Sequence, residues 1–77
     1  MEGLPTCTTR TLLRMFRKLG FVINKSAGKG AHTKVTDPKS GRSTVVPYPL
    51  KSQYTAEGIV KWTMKLGYKK SDIIRWL

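Results

Sequence analysis

Two short segments with the same residue order constrain the fold more than any other feature of the chain. Lys18-Leu19-Gly20-Phe21 and Lys65-Leu66-Gly67-Tyr68 both run Lys-Leu-Gly-aromatic. A glycine in the left-handed conformation ends many helices, and the apolar residue after it packs back onto the last turn. Each segment follows a stretch with apolar residues at helical spacing. The flanking sequences match at no fixed period, so the pattern predicts two separate helices and no internal repeat.

The first of these helices is predicted over residues 9–19, with Thr8 or Thr9 as its N-cap. Its apolar stripe has the spacing i, i+3, i+4 and i+7 and consists of Leu12, Met15, Phe16 and Leu19. The opposite side is cationic, with Arg10, Arg14, Arg17 and Lys18. Residues 1–8 show no periodicity and are interpreted as a short lead-in, in which Cys7 is expected to be an inert surface or lead-in residue.

Three strands are predicted between the helices. Residues 21–24 are β-branched and aromatic, and residues 31–36 alternate with the period of a strand. In this second strand Ala31, Thr33 and Val35 are expected to face a core, while His32, Lys34 and Thr36 point away. A turn rich in Pro and Gly spans residues 37–42, and a third strand follows over 43–46 until Pro47 ends it. The last two strands are therefore expected to form an antiparallel hairpin.

The C-terminal part is predicted to be helical. Thr55 is the expected N-cap of a second long helix, with an apolar stripe that includes Ile59, Trp62, Thr63 and Leu66. A short last helix is expected to start at Ser71. The order α-β-β-β-α-α predicts one small α+β domain over residues 9–77, a three-stranded antiparallel sheet with helices on one face.

The charge of the chain points to its partners. Fifteen Lys and Arg oppose four Asp and Glu, which gives a net charge of +11 in 77 residues. Ion pairing cannot neutralise this surplus, and such self-repulsion is best tolerated where a polyanion binds. The cations are spread from Arg10 to Arg75, which favours a charged folded surface over a basic arm. Nucleic acid is the expected partner.

Other classes of protein fit the composition less well. No apolar run approaches the roughly 20 residues of a membrane span, and the N-terminus lacks the pattern of a signal peptide. A single cysteine and no Cys/His cluster with zinc spacing favour a reducing compartment, so a cytoplasmic location is expected. A membrane-active first helix is a further hypothesis, disfavoured because the apolar stripe is needed for the core.

Several short motifs occur in the order and spacing of a known family. They are Leu12-Leu13 before Lys18-Leu19-Gly20-Phe21, Gly28-Lys29-Gly30-Ala31-His32, Thr44-Val45-Val46-Pro47, Gly58, and Leu66-Gly67-Tyr68 with Ser71-Asp72-Ile73-Ile74. Over residues 9–77 the sequence resembles the HicA family of toxin ribonucleases, whose fold is similar to the double-stranded-RNA-binding domain. The resemblance implies action on messenger RNA without a cofactor and neutralisation by an acidic antitoxin of the HicB family.

The resemblance also implies a catalytic residue. In the family the histidine after the Gly-rich turn is catalytic, which corresponds to His32 here. The sequence departs from the family pattern at two places. Ala31 stands where Ser is common, and Tyr48-Pro49 follows Val46-Pro47 where the family commonly has another histidine.

The chemistry expected of His32 is proton transfer. Histidine is the side chain that naturally exchanges protons near neutral pH, and it can take the proton of a ribose 2′-OH so that the oxygen attacks the adjacent phosphate. Lys29 or Lys34 is expected to stabilise the charge that develops. One histidine and four scattered acids suggest no metal site. The residues predicted to bind RNA are Lys29, Lys34, Gly28, Gly30, Arg14 and Lys25.

Less specific alternatives stay open at this point. The departure at Tyr48 allows a non-catalytic RNA-binding module of the same fold. Trp62 is expected in the core, and Trp76 either covers the edge of the core or contacts a partner. Tyr48 and Tyr54 are candidates for stacking on a base or on the antitoxin.

Overall fold

The computed structural model of the protein describes residues 4–25 and 32–77. Along the chain these residues form α1 (Thr9–Lys18), β1 (Val22–Asn24), β2 (Thr33–Thr36), β3 (Ser43–Val46), α2 (Gln53–Lys65) and α3 (Lys70–Arg75). The strands make one antiparallel sheet in the order β1-β2-β3. The predicted α+β class with a three-stranded antiparallel sheet is therefore confirmed.

Both ends of α1 are closed by the local chemistry that the sequence predicts. Thr8 is the N-cap, and its hydroxyl accepts from the Thr11 N–H at 3.2 Å while the Thr11 hydroxyl accepts from the Thr8 N–H at 2.9 Å. At the other end Gly20 has a φ of 91°, and the Phe21 N–H donates to the Phe16 carbonyl at 2.9 Å. The Phe16 and Phe21 rings lie 4.8 Å apart, so the cap also buries apolar surface.

The start of α2 differs from the prediction. The helix begins at Gln53 with Ser52 as its N-cap, and the Ser52 hydroxyl accepts from the Tyr54 N–H at 3.1 Å. The expected N-cap, Thr55, lies inside the first turn, so that prediction is wrong. The Gln53 side chain both accepts from the Cys7 N–H and donates to the Cys7 carbonyl, each at 2.9 Å. This long-range pair holds the first turn of α2 in place.

The lead-in packs onto the domain. Cys7 is only 3% exposed and belongs to the core cluster, and Leu4 packs against that cluster. Of the two places expected for Cys7, the surface is therefore wrong, and Cys7 is a buried residue of the lead-in. Burial raises the pKa of the Cys7 thiol, which keeps it protonated and poorly nucleophilic.

The sheet presents one face to the helices and the other to solvent. Thr33 and Val35 of β2 are buried, whereas Lys34 of β2 and His32, which immediately precedes the strand, are exposed. This alternation confirms the predicted faces from His32 to Val35, whereas Thr36 is partly buried and Ala31 lies outside the described residues. Val45 of β3 pairs with Lys34 and is 42% exposed. The outer face is therefore free of covering elements in the described part of the chain.

The core lies between the sheet and the helices. The apolar stripe of α1 is completely buried at Leu12, Met15 and Phe16, each 0% exposed. None of the described helices has the length and hydropathy needed to span a membrane. The other buried apolar residues are Cys7, Phe21, Val35, Val46, Ala56, Ile59, Val60 and Ile73.

The two tryptophans are partly buried and pack against the edges of the core. The Trp62 ring makes edge contacts with Phe16 and Phe21 at centroid distances of 6.3 and 6.1 Å, as its place in the α2 stripe predicts. Trp76 packs partly buried against the core, and the cationic groups of Lys18 and Arg75 each lie 5.2 Å from its ring centroid. Of the two predicted roles for Trp76, the structure shows the one at the core edge.

Candidate functional site

His32 lies in a shallow depression on the surface. The residue is exposed and immediately precedes β2. The depression has a volume of about 370 Å³ and is lined by His32, Pro47, Tyr48, Pro49, Lys51 and Thr55. An imidazole, a phenol and an ammonium group thus share one solvent-open concavity.

The strand register explains why these residues meet. Thr33 pairs with Val46, so the residues next to that pair, His32 and Pro47, come together where β2 begins and β3 ends. The Thr9 hydroxyl donates to the Pro47 carbonyl at 2.7 Å, which ties the first residue of α1 to the end of β3. The loop that follows then carries Tyr48 and Lys51 past His32. The depression is therefore built by pairing and packing between distant segments.

Lys34 lies near this depression but does not line it. It is exposed, two residues from His32 on the same face of the strand, as predicted. Across the sheet it pairs with Asn24 on one side and Val45 on the other. The Lys34 ammonium group is thus available on the outer face of the sheet, near the depression that His32 lines.

The structure adds Lys51 to the site. Lys51 lines the same depression as His32, although it lies 19 positions away in the sequence and no local motif marks it. Tyr48 also lines it and is 65% exposed. The Tyr48 phenol therefore lies on the wall of the His32 depression.

The other predicted RNA-binding residues are divided between two places. Arg14 and Lys25 line a different concavity of about 430 Å³ together with Arg10, Leu13 and Arg17. The Arg14 guanidinium donates to the main-chain oxygens of Trp76 and Leu77 at 3.2 and 2.9 Å, so its position is fixed. We call this concavity, defined by those five lining residues, the α1 groove.

The predicted phosphate-contacting turn, with Gly28, Lys29 and Gly30, lies outside the described residues. The described part of the chain contains no group of three or more His, Cys, Asp or Glu side chains that could hold a metal ion.

The Asp37 carboxylate is buried, with 1% of the residue exposed, and it accepts hydrogen bonds from Tyr68 and Ser40. It is therefore unavailable as a proton-transfer partner of His32.

The arrangement can support one kind of acid–base chemistry. His32 supplies a proton acceptor that is open to solvent, and Lys51 supplies a positive charge in the same depression. Such a pair can bind an anion and take a proton from a group beside it. A phosphate with a neighbouring hydroxyl, as in RNA, fits this combination.

No protein-family model matches this chain, and no match was found among curated proteins or among solved structures.

Proposed function

We propose that this protein binds RNA and cleaves it without a metal ion, with His32 as the catalytic residue. The observation that carries the proposal is the position of His32, exposed in one depression with Lys51 and Tyr48 on a chain of net charge +11. The positive charge attracts RNA through its phosphates, and the imidazole acts on the phosphodiester that enters the depression.

The proposed reaction is an internal transfer at phosphorus. An imidazole nitrogen of His32 takes the proton of a ribose 2′-OH, and the 2′-oxygen forms a bond to the adjacent phosphorus. The bond from phosphorus to the 5′-oxygen of the next nucleotide breaks, and that oxygen takes a proton from water. The products are a 2′,3′-cyclic phosphate and a 5′-hydroxyl end, and the imidazolium returns its proton to solvent.

Lysine side chains stabilise the charge in this reaction. Negative charge builds up on the phosphoryl oxygens as the 2′-oxygen attacks, and a fixed cation nearby lowers the energy of that transition state. Lys51 lines the depression, and Lys34 is exposed on β2, two residues after His32. The single imidazole has no second histidine beside it in the described residues, so we expect slow turnover.

We further propose a HicA-like toxin role and a fold similar to the double-stranded-RNA-binding domain. The order α1-β1-β2-β3-α2 and the position of His32 at the start of β2 support this. An acidic antitoxin of the HicB type would then cover the basic face that bears His32. Expression that is harmless to the host, together with purification of the wild type without any partner, would count against the toxin role.

A non-catalytic RNA-binding module is the second candidate. The observation that favours it is Tyr48, a phenol on the wall of the His32 depression at the position where the family commonly has histidine. If that position is needed for proton transfer, the charge and the exposed aromatic ring would still bind RNA without cutting it.

Incubation of the purified protein with an unstructured RNA in EDTA separates the two candidates. Cleavage that leaves 2′,3′-cyclic phosphate ends, and that stops when the ribose at the cut position is 2′-deoxy, supports the enzyme. RNA that is retarded in a gel but stays intact supports the binding module and excludes the nuclease.

A further inference from the structure

We infer that single-stranded RNA follows one continuous track across the surface, from the α1 groove over Tyr48 into the His32 depression. The inference rests on the RNA substrate of the proposed function and specifies its path and its strandedness. The track consists of the α1 groove, the His32 depression and a smaller concavity between them.

Shared lining residues make the track continuous. A third concavity of about 260 Å³ is lined by residues of the lead-in, of the start of α1 and of the loop after β3. It shares Arg10 with the α1 groove and shares Tyr48 and Pro49 with the His32 depression. Three neighbouring concavities therefore meet at Arg10 and at Tyr48. An RNA strand that leaves the α1 groove at Arg10 passes Tyr48 before it reaches His32.

The charge along the track suits a phosphate backbone. Arg10, Arg14 and Arg17 recur at i, i+4 and i+7 on the solvent side of α1, and Lys25 joins them from the end of β1. The described residues that line these three concavities include five cations and no Asp or Glu, the fifth being Lys51 beside His32. Such a row of cations binds a polyanion through its phosphates.

The exposed ring of Tyr48 favours single-stranded RNA over double-stranded RNA as the ligand. Its ring is 65% exposed at the junction between two of the concavities. An exposed aromatic ring next to a cationic groove is the arrangement on which unpaired bases stack. Bases in a duplex are already stacked on each other and cannot reach the ring. In-line attack by a 2′-oxygen also needs a flexible phosphodiester, which a single strand supplies.

Binding measurements on an uncleavable single strand test this inference. The probe is a fluorescent 2′-O-methyl oligonucleotide, titrated with wild-type protein and with Arg10→Gln, Arg17→Gln and Tyr48→Ala over a series of salt concentrations. The matched control for the two arginine variants is Lys65→Gln, which removes one exposed cation that lines none of the three concavities. Tyr48→Phe keeps the ring, and thermal melts check that every variant is folded.

The track predicts distinct results for each variant. Arg10→Gln and Arg17→Gln each lower the slope of log K against log salt by about 0.7, because each removes one phosphate contact with a single strand. Tyr48→Ala weakens binding roughly fivefold to a hundredfold, whereas Tyr48→Phe binds like the wild type. A duplex of the same length gains nothing from Tyr48, so Tyr48→Ala leaves its affinity unchanged.

The inference is overturned if either arginine variant has the same slope as Lys65→Gln, or if Tyr48→Ala binds the single strand as tightly as Tyr48→Phe does. These outcomes are independent of catalysis. If the wild-type protein cleaves RNA and the variants bind RNA like their controls, the proposed function stands and the proposed track is wrong. If the wild-type protein never cleaves RNA but the variants weaken binding as described, the proposed track stands and the proposed nuclease activity is wrong.

Discussion

The Tyr68 hydroxyl donates a 2.8 Å hydrogen bond to the carboxylate of Asp37, 31 residues earlier in the chain. Burial, the hydrogen bond and the charge of Asp37 together raise the pKa of Tyr68 to about 12. Burial alone would raise the pKa of Asp37, but hydrogen bonds from Tyr68, Ser40 and the Lys39 N–H outweigh it, so that the pKa is lowered. The pair joins the turn after β2 to the segment after α2.

This pair predicts a pH-dependent contribution to stability. Because the pKa of Asp37 is lowered in the folded state, its contribution is present above the pKa of an unfolded aspartate and is lost as the pH falls through the folded value. Tyr68→Phe removes the main donor and should destabilise the fold near neutral pH and much less in acid. Urea unfolding of both proteins at about pH 7 and about pH 3 measures this. An equal difference at both values would contradict the assignment.

The alkaline side gives a second prediction from the same pair. A raised pKa of Tyr68 means that its stabilising contribution is complete below about pH 10, the value of a free tyrosine, and is lost as the pH rises through about 12. The stability lost by Tyr68→Phe should therefore shrink again in strong base. Unfolding curves between these two values check the sign, and a growing difference would contradict it.

Gly20, which follows the end of α1, and Gly58, which lies inside α2, form a matched pair for testing the C-cap of α1. At Gly20, with a φ of 91°, and at Gly58, inside α2, an added Cβ meets no described atom within 4 Å. Gly20→Ala should destabilise by about 1–2 kcal/mol, because an L-residue resists the left-handed conformation. Gly58→Ala should stabilise by about 1 kcal/mol, because alanine favours a helix interior. Thermal melts report both, with shifts of opposite sign, and shifts of the same sign would contradict the cap assignment.

The contact between Gln53 and Cys7 predicts the reactivity of the only thiol. Cys7 is 3% exposed and its pKa is raised by burial, so a thiol reagent should label it slowly in the native protein. Gln53→Ala removes two hydrogen bonds that hold the Cys7 backbone and should accelerate labelling. The neighbouring variant Tyr54→Ala should not, since Tyr54 is 85% exposed. Equal labelling rates for the two variants would contradict this account of the lead-in.

Local signals predicted most of the fold. The glycines that end α1 and α2 act within one turn, and the alternation in β2 needs only its own residues, so both were visible in the sequence. Ser52 and Thr55 are both good N-cap residues, so the local sequence does not choose between them, and the structure places Ser52 at the cap with Gln53 paired to Cys7. That contact spans 46 positions and leaves no local pattern.

The same distinction applies to the candidate site. His32 is the only histidine, and its exposure just before β2 follows from the alternation that continues into the strand. Lys51 could not be assigned to the site, because it reaches His32 only through the pairing of β2 with β3 and the course of the following loop. The division of the predicted cations between the α1 groove and the sheet likewise required the three-dimensional fold.

Lys51 is expected to act in the chemical step. Lys51→Gln keeps the length of the side chain near that of lysine and removes the charge beside His32. We expect the single-turnover cleavage rate to fall by up to about 10²-fold, because a charge that stabilises the transition state is lost. Lys65→Gln, which removes a cation elsewhere on the surface, should keep the wild-type rate. Equal rates for the two variants would contradict the role of Lys51.

The catalytic role of His32 is tested most directly by comparing His32→Ala with wild type in single-turnover cleavage of an unstructured RNA in EDTA, with RNA affinity measured in parallel. The account predicts that the rate falls by about 10²- to 10⁴-fold, the usual contribution of a general base, while the affinity and the melting curve stay unchanged. Cleavage by His32→Ala at the wild-type rate would contradict it.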